Sequence, residues 1–143
     1  MAVATKVYCG QFAKGNYLVG CIDDRGYVYK NDHASTNASY IVGCVDNNGR
    51  IYNGKSARGN YLVGCSDNRG NIYRNNHAST SAAYLVGNVV SKGNLGRVYK
   101  KTSSAVVATI EGGNHVAGAM AYLLLLSTSN GGNLFDLLAS MFQ

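Results

Sequence analysis

Two duplicated loops hold two of the chain's three histidines, the residue type that most often binds metals and moves protons near neutral pH. The loops read NDHASTNAS at 31–39 and NNHASTSAA at 75–83, with Asp32 before His33 but Asn76 before His77. A metal or acid–base site needs partner residues that converge on the histidine, and only one of the two loops has a carboxylate beside it. Two alternatives stay open: a recognition loop on a rigid scaffold, or histidines that only cap turns.

Three tyrosines are each followed directly by a cation. Aromatic stacking beside cations holds single-stranded nucleic acid, and the same pairing meets lipid headgroups at a membrane surface. The alternative is that the tyrosines form cross-strand pairs that only stabilise a sheet. Together with the loop histidines, they give these candidate ligand-binding residues: Tyr29, Lys30, His33, Tyr73, Arg74, His77, Tyr99 and Lys100.

No motif for a cofactor, a metal or catalysis stands out. Cys21, Cys44 and Cys65 share one repeat position, but no C-x-x-C pair exists, so we expect small half-buried thiols rather than zinc ligands. The Asp-x-x-Gly turns lack the remaining ligands of a calcium loop, and no G-K-[ST] follows a glycine-rich loop. The sequence has no Ser-His-Asp spacing and no paired carboxylates. We therefore expect that the chain is not an enzyme and needs no cofactor.

Internal repetition organises the chain. The segments YLVGCIDDRGYVYK, YIVGCVDNNGRIY, YLVGCSDNRGNIYR and YLVGNVVSKGNLGRVYK begin at tyrosines spaced 23, 21 and 23 residues apart. A half-unit opens the array at Val7-Tyr8, and another closes it at 105–110, which gives five units. The 23-residue spacing also resembles that of MORN repeats, but their tryptophan-containing motif is absent, which ranks that alternative second.

Each unit is rich in the residues that suit strands, and Asp-x-x-Gly is a turn signal. The pattern predicts about ten short antiparallel strands paired as hairpins. We place the aliphatic residues on the inner face and the tyrosines and cysteines on the outer face. A small residue recurs in the middle of one strand of every unit, which suits a strongly coiled closed barrel or close approach of another backbone. These positions are Gly20, Gly43, Gly64, Gly87 and Ala108.

The segment after the repeats is apolar almost all round. Residues 115–127 begin HVAGAMAYLLLL, too short for a bilayer span and too apolar for an exposed helix. We predict a helix there that plugs or threads the barrel, with His115 near its start. Residues 128–143 are predicted to be a tail or a short amphipathic helix. The chain therefore forms a single domain over 1–143, with the hairpin repeats at 7–110.

The quoted repeats and the run AGAMAYLLLL resemble the bacterial β-flower family, and the four-fold β-flower group most closely. The resemblance covers roughly residues 7–126 and implies a shallow pseudo-symmetric barrel of hairpins around an apolar centre. The fold of that family is superficially similar to the tubby C-terminal domain, whose barrel encloses a helix and binds phosphoinositides. The family brings no catalytic residues to this sequence. Five units and two long loops depart from the four-fold pattern.

Charge and composition limit the partners. The chain has 143 residues and a net charge of +6, and all 13 Lys and Arg residues precede residue 102. A basic body favours acidic or phosphate-bearing partners. We expect a non-catalytic binding module for lipid headgroups or a small apolar ligand. Alternatives are a protein-interaction or self-assembling homo-oligomeric scaffold and, less favoured, nucleic-acid binding or a small enzyme. Four cysteines without a secretory signal predict a cytoplasmic protein, with peripheral membrane association as an alternative.

Overall fold

Ten antiparallel strands close into a barrel in a computed structural model that describes residues 2–127. The order around the barrel is β1-β10-β9-β8-β7-β6-β5-β4-β3-β2. Each strand therefore pairs with the next in sequence, and β10 pairs with β1 to close the barrel. The strands are β1 Val3–Cys9, β2 Leu18–Asp23, β3 Tyr27–Lys30, β4 Ile41–Val45, β5 Arg50–Tyr52, β6 Leu62–Ser66, β7 Asn71–Arg74, β8 Leu85–Lys92, β9 Leu95–Lys100 and β10 Val106–Glu111. The predicted mainly-β barrel is confirmed.

This up-and-down topology gives the barrel two chemically different ends. The end we call the turn end holds the tight turns from β2 to β3, β4 to β5, β6 to β7 and β8 to β9. The opposite end, the loop end, holds the longer connections at 10–17, 31–40, 53–61, 75–84 and 101–105. Four of these loops finish in a single 3-10 turn that carries a tyrosine, at Gly15–Tyr17, Ala38–Tyr40, Gly59–Tyr61 and Ala82–Tyr84.

A helix fills the barrel, as the apolar C-terminal run predicted. Helix α1 spans His115–Ala121 and continues without a break into a π-helical turn at Tyr122–Leu126. Asn114 caps α1 by accepting a hydrogen bond from the amide of Ala117. Every residue from Ala117 to Leu126 is buried, and most pack against a ring of strand residues. That ring consists of Val7, Ile22, Val28, Ile51, Ile72, Val89, Val98, Ala108 and Ile110.

The mid-strand glycines make room for the four consecutive leucines. A Cβ added at Gly20 would lie against Leu126. Added at Gly43, Gly64 or Gly87, it would lie against Leu125, Leu124 or Leu123 respectively. Tyr122 completes the set, because its hydroxyl lies 3.8 Å from the Cys9 sulfur and Cys9 pairs with Ala108. Five consecutive helical residues therefore face five successive hairpin units.

The π-helical turn is what allows this one-to-one match. Five units stand about one fifth of a turn apart, whereas an α-helix rotates by about 100° per residue. Bonds from residue i to i+5 widen the turn and reduce the rotation per residue, which brings the leucines closer to the spacing of the units. The bond from the Ser127 amide to the Tyr122 carbonyl, 2.9 Å long, has this i+5 spacing. The sequence predicted one helix over 115–127 but not this change of pitch.

Candidate functional site

The Asp-x-x-Gly turns hold the outer tyrosines in place. In the first unit, the Asp23 carboxylate accepts the amides of Arg25 and Tyr27 and the hydroxyl of Tyr29, the last at 2.7 Å. Asp46 and Asp67 make the same contacts to Tyr52 and Tyr73. The spacing that recurs within D-x-x-G-x-[VI]-Y is thus explained by a tyrosine–carboxylate hydrogen bond across each of these three hairpins.

The predicted ligand-binding tyrosines are correspondingly covered. Tyr29 and Tyr73 point outward as expected, but their exposed fractions are only 3% and 7%. Tyr99 is partly buried. Tyr29 and Tyr73 therefore present little surface to a ligand: loops fold back over the outer face, and the two hydroxyls already bond to carboxylates.

Burial and these hydrogen bonds raise the pKa of several tyrosines. Desolvation, followed by the bond to Asp23 and the charge of Asp23, raises the pKa of Tyr29 to about 12. Desolvation and the bond to Glu111 do the same for Tyr8. The folded barrel therefore favours protonated tyrosine more strongly than the unfolded chain does.

Alkaline pH is expected to unfold the barrel through these tyrosines. A raised folded-state pKa contributes stability that is present below the unfolded value, about 10, and is lost as pH rises towards about 12. Urea unfolding between pH 8 and 12, with tyrosinate absorbance as a second signal, measures this loss. Tyr29→Phe removes one such group and should flatten the dependence, whereas Tyr17→Phe at an exposed ring should not. Equal slopes for all three chains would contradict the assignment.

The two histidine loops have the same conformation. In the first, the Asn31 side chain accepts the amides of His33 and Ser35 and donates to the Ser35 carbonyl; Asn75 does the same in the second. Ala34 and Ala78 both take left-handed φ, at 56° and 57°. Each loop lies over the outer face, where the thiols of Cys21 and Cys65 donate to the carbonyls of Ser35 and Ser79.

Both loop histidines are exposed, and each ring contacts a tyrosine ring edge-on. His33 packs on Tyr40 with centroids 5.5 Å apart, and His77 packs on Tyr84 at 5.2 Å. His33 also lies 3.0 Å from Asp32, and this contact lowers the pKa of the Asp32 carboxyl. The structure thus joins each histidine to the tyrosine at the end of its own loop, which the sequence analysis had not paired.

The predicted basic residues lie at the loop end. Lys30 pairs with Gly20, Arg74 with Gly64 and Lys100 with Gly87, so all three stand level with the leucines of the plug. Arg74 donates to the carbonyl of Leu123 at 3.0 Å and so neutralises part of the carbonyl end of the helix. Arg74 therefore has a structural contact. Arg74 and Lys100 are exposed, and Lys30 is partly exposed.

The loop end is strongly basic. We count each loop of this end together with the last residue of the strand before it. Among the described residues, these segments hold one carboxylate, Asp32. The other five described carboxylates, Asp23, Asp24, Asp46, Asp67 and Glu111, lie at the turn end. The cations of the loop end are Lys14, Lys30, Lys55, Arg58, Arg74, Lys100 and Lys101.

Exposed aromatic side chains share this end. Phe12 is 55% exposed and stands 5.5 Å from the ammonium of Lys14. Tyr17, Tyr61 and Tyr84 are 37–42% exposed. They stand level with one another, because the residue after each tyrosine pairs with an equivalent outer tyrosine: Leu18 with Tyr8, Leu62 with Tyr52, and Leu85 with Tyr73. Phe12 and Lys14 were not among the residues predicted to bind a ligand, and only their position in a loop indicated that they would be exposed.

A cleft of about 380 Å³ opens at the turn end beside the start of the helix. Its lining is mixed, with Asp23, Asp24, Arg25, Asp46 and Asn114 beside apolar residues that include Ile22 and Val45. Within residues 2–127, the plug packs against the inward-facing strand residues. No group of three or more His, Cys, Asp and Glu side chains within residues 2–127 is placed to hold a metal ion.

Cys21, Cys44 and Cys65 are buried, and desolvation raises the pKa of each thiol, that of Cys21 to about 11. Among the helices of the described segment, none combines the length and apolar character needed to cross a bilayer. The predicted tail at 128–143 lies outside the described residues.

The fold and its charged end define a plugged ten-stranded barrel with one basic, aromatic face. Comparisons with protein-family models, curated proteins and solved structures found no significant match to the chain.

Proposed function

We propose that the protein is a binding module that docks its loop end onto an anionic lipid surface. The observation that carries the proposal is the segregation of charge: the loop end gathers seven cations and the exposed aromatic rings, while five of the six described carboxylates lie at the other end. Such an asymmetric field orients the molecule as it approaches a negative surface.

The arrangement of the aromatics favours a surface over a strand of nucleic acid. Tyr17, Tyr61 and Tyr84 stand at one level around the rim, so they can touch a plane together. Single-stranded nucleic acid is held instead in a groove, with rings stacked in succession along it. Tyrosine and phenylalanine beside lysine is the side-chain set that settles at the headgroup level of a bilayer.

Liposome co-sedimentation tests this proposal. The chain should bind vesicles with anionic headgroups at low salt, bind less at moderate salt, and ignore neutral vesicles. Each lysine near an anionic surface is worth about 1 kcal/mol, so replacing Lys14, Lys100 and Lys101 by Gln should weaken binding by about a hundredfold. These lysines are exposed.

A charge-matched control separates orientation from net charge. Replacing Arg50, Arg69 and Arg97 by Gln removes the same charge from exposed positions outside the loop end. Binding should then fall much less than in the loop-end variant. Equal losses would show that net charge alone attracts the chain. Absence of binding to anionic vesicles at low salt would sink the proposal and favour the scaffold alternative, which light scattering would then examine.

A further inference from the structure

The fourth hairpin departs from the repeat and carries a serine against a histidine. Three extra residues separate Tyr84 and Tyr99 compared with Tyr17 and Tyr29, and Val90 stands where the other units have the turn aspartate. The hairpin is longer as a result: Val90 pairs with Arg97, Ser91 with Gly96 and Lys92 with Leu95. Departures from an otherwise consistent pattern are where functional residues are expected.

His115 bridges this hairpin and the start of the plug. Its Nδ1 lies 2.6 Å from Ser91 Oγ, and its Nε2 lies 3.1 Å from the carbonyl oxygen of Asn94. A carbonyl only accepts hydrogen bonds, so Nε2 carries the proton and neutral Nδ1 accepts the serine hydroxyl. The absence of a side chain at Gly96 leaves room for the imidazole, because a Cβ there would lie 3.0 Å from His115 Cβ and Cγ.

These contacts have the arrangement of an activated nucleophile. A serine needs a base within hydrogen-bond reach, and the base needs a third group that fixes its tautomer and orientation. Here Ser91, His115 and the Asn94 carbonyl fill those three places. Ser91 is exposed and His115 is partly exposed, so a substrate can reach the oxygen. The residues are brought together from positions 24 apart, and the sequence analysis had found no such arrangement.

We propose that Ser91 is a nucleophile activated by His115, and that it accepts acyl groups from small esters. Ser91 Oγ forms a bond to the carbonyl carbon while its proton moves to His115 Nδ1. The bond from that carbon to the alcohol oxygen breaks, and His115 returns the proton to the departing oxygen. Water then attacks the acyl-serine by the same route, which releases the acid and restores the serine. The site lies at the turn end and is independent of lipid docking.

Reaction with p-nitrophenyl acetate tests the proposal on the full chain. We expect a stoichiometric burst of p-nitrophenol, an acetyl group mapped to Ser91 by peptide mass spectrometry, and loss of both in Ser91→Ala. His115→Gln should slow the burst by about a hundredfold or more, within the range of general base catalysis. Ser104→Ala, at another exposed serine, should react as the parent does.

Mapping on the unmodified chain keeps the test decisive even if a variant folds poorly. Acetylation found only on lysines, or a burst unchanged in Ser91→Ala, would overturn the proposal and leave Ser91 and His115 as a structural latch. A latch alone would alter unfolding by urea but would not produce an acyl-serine. Loss of vesicle binding with an intact burst, or the reverse, shows which of the two proposals has failed.

Discussion

Ending the chain at Asn114 is expected to abolish folding of the barrel. Burial of one leucine contributes about 1.5–3 kcal/mol, so Leu123–Leu126 alone account for about 6–12 kcal/mol. This is comparable with the whole stability of an ordinary domain, about 5–15 kcal/mol. Without the plug, the inner residues of ten strands would surround a water-filled space. Circular dichroism and binding of an apolar dye should report an unfolded or collapsed chain.

A second truncation provides the control. Ending the chain at Ser127 keeps α1, the π-helical turn and every core contact of the described residues. It should therefore keep a cooperative unfolding transition, which the chain that ends at Asn114 should lack. A folded barrel in the chain that ends at Asn114, having lost only its binding to vesicles, would show that the helix is an anchor rather than a core.

Gly20→Ala is expected to destabilise the barrel by about 3 kcal/mol, near the upper part of the range for overpacked cores. The added methyl would lie 2.6 Å from the carbonyl oxygen of Tyr29 and 2.8 Å from Leu126 Cδ1. The leucine can shift, but the carbonyl belongs to the neighbouring strand and is held by the sheet. The change therefore disturbs β2, β3 and the plug together. Urea unfolding monitored by circular dichroism measures the loss.

Gly15→Ala is the matched comparison. A methyl at Gly15 meets no atom within 4 Å, and its backbone needs no left-handed φ. This variant should stay within about 0.5 kcal/mol of the parent, as surface substitutions do. If the two variants were equally stable, the close packing of mid-strand glycines against the leucines would not be a determinant of the fold. Leu126→Ala should cost less in the Gly20→Ala background than in the parent, since it removes one of the two clashes.

The hairpins were determined locally, which is why they could be predicted. Asp23 and Gly26 sit within one turn, and the carboxylate needs only amides two and four residues ahead. The alternation of apolar and polar residues then decided which face lies inward. The small mid-strand residues and the run of leucines indicated, each separately, that a helix would approach the strands closely. Strand number, turn positions and the buried helix followed from the sequence alone.

Tertiary structure decided the features that depend on how the units come together. The closure of ten strands sets the angle between neighbouring units, and this angle favours a π-helical turn at Tyr122–Leu126. The loops that fold back over Tyr29 and Tyr73 bury rings that alternation alone would leave exposed. The contact of Ser91 with His115 joins residues 24 apart through an extended hairpin. Local patterns fix turns and faces over a few residues, but burial and side-chain partners depend on every element packed around a position.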